Sequence, residues 1–312
     1  MTAAAIGPAS RVYVAGHGGL VGSAIVRRLQ AEGFKQLITA SRADVDLTDT
    51  RAVDAFFAAA RPEYVFLAAA RVGGILANST FPADFIHQNL MLQTNVIDAA
   101  YRHGVQKLLF LGSSCIYPRM ATQPIQESAL LTGPLEPTNE AYAIAKLAGI
   151  AMCQAYRRQH GFNAICAMPT NLYGPNDNDD PHDSHVLPAL LNKFAEAIEQ
   201  SRPAVQIWGT GTPRREFLHA DDLADALLCL MRKWDSADIV NVGTGADLSI
   251  LELAALIARL TGFRGSIEHD LSKPDGTPRK CLDVSRMAAL GWRPTISLED
   301  GIGQLWRTRY RR

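Results

Sequence analysis

Tyr142 and Lys146, in the run Tyr142-Ala143-Ile144-Ala145-Lys146, set a phenol and an ammonium four residues apart. On a helix that spacing stacks the two groups on one face. A free phenol titrates near ~10, and bringing it to ~7 takes roughly 4 kcal/mol of differential stabilisation, which a nearby cation helps supply. Such a pair suits proton transfer at an oxygen. Alone, Y-x-x-x-K is a common pattern on solvated helix faces. It gains weight from Ser113-Ser114-Cys115-Ile116-Tyr117, directly after the strand-like run 107–111. Open α/β sheets bind ligands at the carboxyl ends of their strands.

A second constellation lies near the start. Gly16-His17-Gly18-Gly19-Leu20-Val21-Gly22 spells G-x-x-G-x-x-G between a strand-like run and a helical one. Glycines there permit a tight turn and close backbone approach, and the helix N-terminus offers free N–H groups to a pyrophosphate. About twenty residues past Gly22, an NAD-selective site carries a carboxylate for the ribose 2′-hydroxyl. This chain has Ser41-Arg42 there. A guanidinium pairs with a 2′-phosphate, so NADP(H) is favoured over NAD(H). Asp46 is a candidate partner for the adenine amino group, or a cap for the next helix.

Nearly continuous apolar runs mark strands at Arg11–Ala15, Gln36–Ala40, Tyr64–Ala69, Lys107–Leu111 and Ala164–Met168. They alternate with helical patterns, which predicts a doubly wound α/β fold, a parallel-sheet Rossmann domain covered on both faces. From Asn171 onward the pattern breaks. Residues 173–181 form a polar, turn-rich stretch of the kind used in binding loops. Helices are expected at about 186–200, 221–233, 249–261 and 284–290, and short strands near 205–208, 239–242 and 266–269. The expected division is a cofactor-binding domain over 1–175, with segments near 216–245 packing back on it. A smaller mixed α/β substrate-binding domain would occupy most of 176–312.

The 312 residues are 47% hydrophobic, enough for a substantial core, with 31 Lys+Arg balancing 31 Asp+Glu. Disorder is excluded, and no basic excess points to nucleic acid or an anionic membrane. Five cysteines, Cys115, Cys153, Cys166, Cys229 and Cys281, are odd in number and hold no C-x-x-C pair. Neither a disulfide scaffold nor a zinc ribbon fits them. No secretory leader or spanning helix is expected, so the expected location is the cytoplasm. His182 and His185, with Asp177, Asp179, Asp180 and Asp183, include metal-ligand types, but no further His or Cys set lies nearby and no metal is expected. His219 is read as a packing and helix-capping residue.

The glycine fingerprint, Ser113, Tyr142 and Lys146 together resemble the extended short-chain dehydrogenase/reductase superfamily. Longer strings narrow the resemblance: Leu111 through Pro118, Pro169-Thr170-Asn171-Leu172-Tyr173-Gly174-Pro175, Arg215-Glu216-Phe217-Leu218-His219, and Lys273 through Lys280. They are similar to the GDP-L-fucose synthase family, GDP-4-keto-6-deoxy-D-mannose 3,5-epimerase/4-reductases, from about Arg11 to Leu298. The resemblance implies Cys115 and His185 as the base and acid of epimerisation, Ser113 as a hydrogen-bond donor to the ketone, and Tyr142 as the proton donor in reduction. Lys146 would hold the nicotinamide ribose. Ala69, Pro169, Asn171, Leu172 and His185 join residues 16–22, Arg42 and Asp46 as implied NADP(H) contacts. Asn171, Lys193, Trp208, Arg215, Asp275 and Lys280 are implied contacts of a GDP-sugar, the cations serving its diphosphate. A homodimer on helices including 142–157 is also implied, with Ile144, Leu147 and Ala151 on the apolar face.

Two positions depart from the family pattern. Gly18 stands where arginine is common, leaving Arg42 with more of the 2′-phosphate, and Ala141 stands where proline is common. A cofactor-binding regulator is a weaker fit because such proteins typically lose the Tyr/Lys pair. A 4,6-dehydratase needs an acidic pair where this chain has Ser114-Cys115, and a simple 4-epimerase needs neither Cys115 nor His185. GDP-L-colitose or GDP-heptose epimerase/reductases share nearly the same apparatus and remain alternatives from the sequence.

Overall fold

The computed structural model describes residues 5–178, 185–273 and 275–310. The chain begins with β1 (Arg11–Ala15), α1 (Leu20–Ala31), β2 (Gln36–Ile38), α2 (Thr50–Ala60), β3 (Tyr64–Leu67), α3 (Ile75–Thr80), α4 (Pro82–Arg102) and β4 (Lys107–Leu111). It continues through α5 (Glu140–His160), β5 (Ala164–Pro169), β6 (Asn171–Tyr173), α6 (Val186–Glu199), β7 (Ala204–Trp208), β8 (Arg214–His219) and α7 (Ala220–Lys233). The last elements are β9 (Val240–Val242), β10 (Asp247–Ser249), α8 (Ile250–Thr261), β11 (Ser266–Asp270), β12 (Arg279–Lys280), α9 (Ser285–Ala289) and α10 (Leu298–Leu305).

Six parallel strands form the main sheet in the order β2-β1-β3-β4-β5-β9. Its near-continuous apolar runs divide by alternation. Val12, Val14, Phe66, Leu109 and Ile165 face one core with α1 and α7, while Tyr13, Ala15, Val65, Leu108, Phe110 and Cys166 face another with α2, α4 and α5. Burial on both faces is why these strands read as unbroken hydrophobic runs. Two strands are shorter than expected: β2 stops at Ile38 and β3 at Leu67. Past the end of β3, Ala68 N still donates to Ala15 O at 3.1 Å, where β1 ends and turns at Gly16.

A second sheet, unexpected from the sequence, centres on β8. It pairs antiparallel with β10 and parallel with β6 and β12. Strands β7 and β11 form a separate parallel pair. A third core gathers Leu190, Phe194, Ile207, Leu253, Ile257 and Ile302 from α6, β7, α8 and α10. The expected strand near 239–242 is β9, and it completes the main sheet beside β5, while α7 covers that sheet beside α1. His219 caps α7, its Nδ1 accepting from Asp221 N at 3.2 Å, and its ring meets Tyr173 edge-on.

Glu216 on β8 joins the two sheets. Its carboxylate is fully buried and accepts from Thr244 N at 2.5 Å, Gly245 N at 2.7 Å and Leu282 N at 2.8 Å. Its backbone carbonyl accepts from Asn171 Nδ2 at 2.8 Å. The side chain therefore fixes the turn after β9 and the segment after β12 against β8. Glu216→Ala would leave three N–H donors without their acceptor, that of buried Leu282 among them. We expect it to destabilise the chain by about 3–5 kcal/mol in urea denaturation, and Glu216→Gln by clearly less.

Candidate active site

At the β1–α1 turn, Gly16 has φ +85°, and a Cβ there would lie 2.8 Å from the Ala69 Cα. A Cβ on Gly22 would fall 2.0 Å from the Gly16 carbonyl oxygen. Both positions require glycine, which lets helix, turn and the end of β3 close on one another. Leu20 and Val21 pack into the core. No side chain caps α1, no acid occupies its first turn, and Gly18 and Gly19 are exposed. His17 Nδ1, in the same turn, is buried with no hydrogen-bond partner. Bare glycine backbone, a helix N-terminus and an orphaned polar atom fit the diphosphate of a dinucleotide.

Beyond β2, Arg42 is 77% exposed, and its guanidinium lies 3.7 Å from Asp46. The other Asp46 oxygen accepts from Thr48 N and Oγ1, and these bonds hold its carboxyl below the ordinary range. Asp46 thus shapes the turn before α2, whose N-cap is Asp49. A Cβ at Gly18 would meet nothing within 4 Å, so the space at that position is open.

The proton-transfer group sits on α5 and the tip of β4. A Cβ on Gly149 would strike the Phe110 ring at 2.4 Å, so glycine there lets α5 lie close on the sheet. One turn earlier, Lys146 is buried, with Nζ donating to Leu111 O at 2.8 Å and lying 4.9 Å from the Phe110 ring centroid. Ser113 Oγ accepts from Cys115 N at 3.2 Å, and Tyr142 shares a hydrogen bond with Ser113. The expected tuning runs the other way. Burial pushes the Tyr142 phenol up, and burial brings the Lys146 ammonium down from 10.5 to about 7. The lysine is committed to the Leu111 carbonyl, and its Nζ is 5.8 Å from the Tyr142 ring centroid.

Cys115 is partly exposed. Its sulfur accepts from Lys280 Nζ at 3.6 Å and interacts electrostatically with Arg215 and Tyr142. Arg215 donates to Thr277 O at 2.5 Å and Arg214 O at 2.8 Å, and forms no ion pair among the described residues. Burial lowers its pKa. A half-buried guanidinium that feels Glu136 only at a distance and has no ion pair among the described residues can seat an anion. Lys280, expected on the diphosphate, has its Nζ 3.6 Å from the thiol. The register of β12 on β8 places it opposite Arg215.

Farther out, Trp208 is 53% exposed, and the ammoniums of Lys193 and Lys273 lie 5.6 and 5.7 Å from its ring centroid. Lys193 also donates to Gln206 O at 2.9 Å, and burial lowers its pKa. Asp275 accepts from Thr210 N at 2.9 Å and Thr210 Oγ1 at 2.7 Å, pinning the loop after β7. Pro169 ends β5 beside Val242, Asn171 bonds Glu216, and Leu172 packs on the core. His185 is exposed at the N-cap of α6, which its side chain does not cap. Asp179, Asp180, His182 and Asp183 lie outside the described residues, and among those described no group of three or more His, Cys, Asp or Glu gathers.

The residue-by-residue reading of the sequence missed three features. Lys273 beside Trp208 stands in the string that ends at Lys280. Glu216 follows Arg215 directly. The Cys115 loop is anchored by Tyr117, whose hydroxyl donates to Asn241 Oδ1 at 2.5 Å, and Asn241 N in turn donates to Glu127 at 3.0 Å. Its polar partners are far apart in sequence, so no local pattern exposes it.

The sheet order and the Ser113–Tyr142–Lys146 cluster define a Rossmann-type oxidoreductase or epimerase site. Residues 12–243 match the NAD dependent epimerase/dehydratase family, and the chain belongs to it. It is 59% identical over 297 residues to "GDP-L-fucose synthase 1" of Arabidopsis thaliana, covering 95% of this chain and 92% of the relative. It is 54% identical to "GDP-L-fucose synthase" of Escherichia coli over 306 residues, covering 95% of each. A GDP-L-fucose synthetase from Naegleria fowleri bound to NADP shares the fold with a TM-score of 0.90 at 28% identity, over 99% of this chain and 97% of that one.

Burial of Lys146 makes stability depend on pH. Its charged form is penalised in the folded protein, so the penalty is full below about pH 7 and vanishes above 10.5. Without cofactor, Lys146→Met is expected to melt about 2–5 °C above the parent near pH 6. The gap should close toward pH 10 in thermal melts, while dinucleotide affinity falls at every pH.

Proposed function

We propose that the chain is an NADPH-dependent 3,5-epimerase/4-reductase that converts GDP-4-keto-6-deoxy-D-mannose to GDP-L-fucose. The observation that carries this reading is a thiol inside a reductase site. Tyr142 bonds Ser113, Ser113 accepts from the Cys115 N–H, and Cys115 faces Lys280 and Arg215. A plain ketone reductase has no use for that thiol.

A C4 ketone acidifies the hydrogens at C3 and C5. Cys115, as thiolate, takes the proton from carbon, and the electron pair moves onto O4, which Ser113 holds. His185 returns a proton to the opposite face of the same carbon, inverting it. Both groups reset by exchange with water before the second centre reacts. NADPH supplies the hydride that reduces C4. Tyr142 delivers its phenolic proton to O4, and burial keeps it protonated until then. Arg215 receives diphosphate charge, and Trp208 with Lys193 and Lys273 offers a cation-flanked ring to the nucleotide. Residues 16–22, Ala69 and Lys146 hold the dinucleotide with Pro169, Asn171, Leu172 and His185.

Residues 1–175, with the returning 216–245, serve the cofactor, and most of 176–312 serves the GDP-sugar. Ile144, Ala148 and Ala151 form an exposed apolar stripe on α5 that suits a homodimer, though Leu147 turns partly into the core. Five free thiols suit the reducing cytoplasm. Among the described residues, no helix is long and apolar enough to cross a membrane.

Incubated with GDP-4-keto-6-deoxy-D-mannose and NADPH, the protein should oxidise NADPH and release GDP-L-fucose. Absence of NADPH oxidation sinks the reading. Cys115→Ser should cut solvent deuterium incorporation at C3 and C5 by about 10²-fold or more while NADPH binding stays intact.

The bare space at Gly18 supports a cofactor with one arginine on its 2′-phosphate, Arg42. Gly18→Arg should tighten NADPH by about three- to tenfold and leave NADH unchanged in fluorescence titration.

A further inference from the structure

The contact between Lys280 and Cys115 carries a role beyond charge for a phosphate. The segment bearing Lys280 is fixed on several sides. Arg279 pairs with Asp247, Cys281 N donates to Gln123 Oε1 at 2.9 Å, and Leu282 N donates to Glu216 at 2.8 Å. Cys281 O accepts from Ile125 N at 2.8 Å. Lys280 forms no ion pair among the described residues, and its ammonium reaches Cys115 Sγ at 3.6 Å. The cleft around the sulfur is lined by Ser114, Tyr117, Arg119, Glu136, Thr277 and Arg279. Its other charges are mostly engaged: Glu136 pairs with Arg119 at 3.3 Å and accepts from Thr277 at 3.1 Å, and Arg279 is held by Asp247. Tyr142 approaches from α5 and Arg215 from β8.

We propose that Lys280 is a positioning residue for the base, holding Cys115 as the thiolate that removes the protons from C3 and C5. An ammonium at hydrogen-bond distance favours the anionic sulfur, the form that is both base and nucleophile. During catalysis Lys280 keeps its own proton. The C–H bond breaks, the proton goes to sulfur and the electron pair to O4, and the thiol later loses that proton to water beside the ammonium. Arg215, in register with Lys280, is left for the diphosphate. The kinetic part of this role rests on the 3,5-epimerase reading, but the pairing itself does not.

Alkylation of the substrate-free protein by iodoacetamide, followed peptide by peptide across pH, tests the pairing directly. Cys115→Ser identifies the relevant thiol, since Cys229 is also partly exposed. Lys280→Met should slow Cys115 alkylation about tenfold at pH 7 and move the profile to higher pH, and Lys280→Arg should restore it. Melting curves confirm that both variants fold. With substrate, Lys280→Met should lower kcat and C3/C5 exchange by a similar factor with KM nearly unchanged. An unchanged alkylation profile, or a raised KM with intact kcat, overturns the proposal. If the parent oxidises no NADPH yet alkylation still depends on residue 280, the functional reading fails and the pairing stands.

Discussion

The carboxylate of Glu216 is the constraint on which the arrangement turns. It lies in the interior with no ion-pair partner among the described residues, and backbone N–H groups supply its stabilisation. Burial pushes its pKa up, and the N–H bonds from Leu282, Gly245 and Thr244 oppose that rise. A buried acid held by main chain cannot be relocated by repacking side chains. Its donors come from the turn after β9 and the segment after β12, so the main sheet and the β8 sheet meet at one point. Even Gly243 answers to it, since a Cβ there would lie 2.2 Å from Glu216 Oε1.

From that junction the site's two chemistries separate. The main sheet presents Ser113 and Cys115 at the end of β4, with Tyr142 and Lys146 brought down on α5 by the missing side chain of Gly149. The β8 sheet presents Arg215 and Lys280 on neighbouring strands in register. The first set suits proton transfer at oxygen, and the second gathers positive charge near the sulfur. The balance of 31 basic and 31 acidic residues therefore conceals a local excess of uncompensated cations around Cys115.

The sequence made the main sheet legible because its strands are buried on both faces and show as unbroken apolar runs. Tyr142, Lys146 and the glycine turn were legible because their spacing is local and each spacing has a chemical reason. The β8 sheet was not. Its members β6, β10 and β12 are two or three residues long and polar or half-buried, as in Asp247-Leu248-Ser249, so neither periodicity nor length distinguishes them from loop. The placement of Lys280 was also hidden. Nothing in its glycine- and proline-rich string shows that the register against Arg215 also brings it within 3.6 Å of the sulfur.

The pKa of Tyr142 is the instructive difference. Spacing alone argues for a phenol depressed by its neighbouring ammonium, the state wanted when a tyrosine must accept a proton from an alcohol. The structure half-buries it instead, and burial pushes the phenol up while Lys146 is brought down to about 7. For the proposed reduction this would be the useful arrangement. A tyrosine acid must arrive protonated, and an alkoxide is a far stronger base than phenolate, so the transfer would run downhill without help from a cation. A depressed phenol would be ionised before the ketone was reduced and would have no proton to give. The same burial that departs from the spacing argument thus suits a tyrosine that gives up a proton, while Lys146 stays bonded to the Leu111 carbonyl.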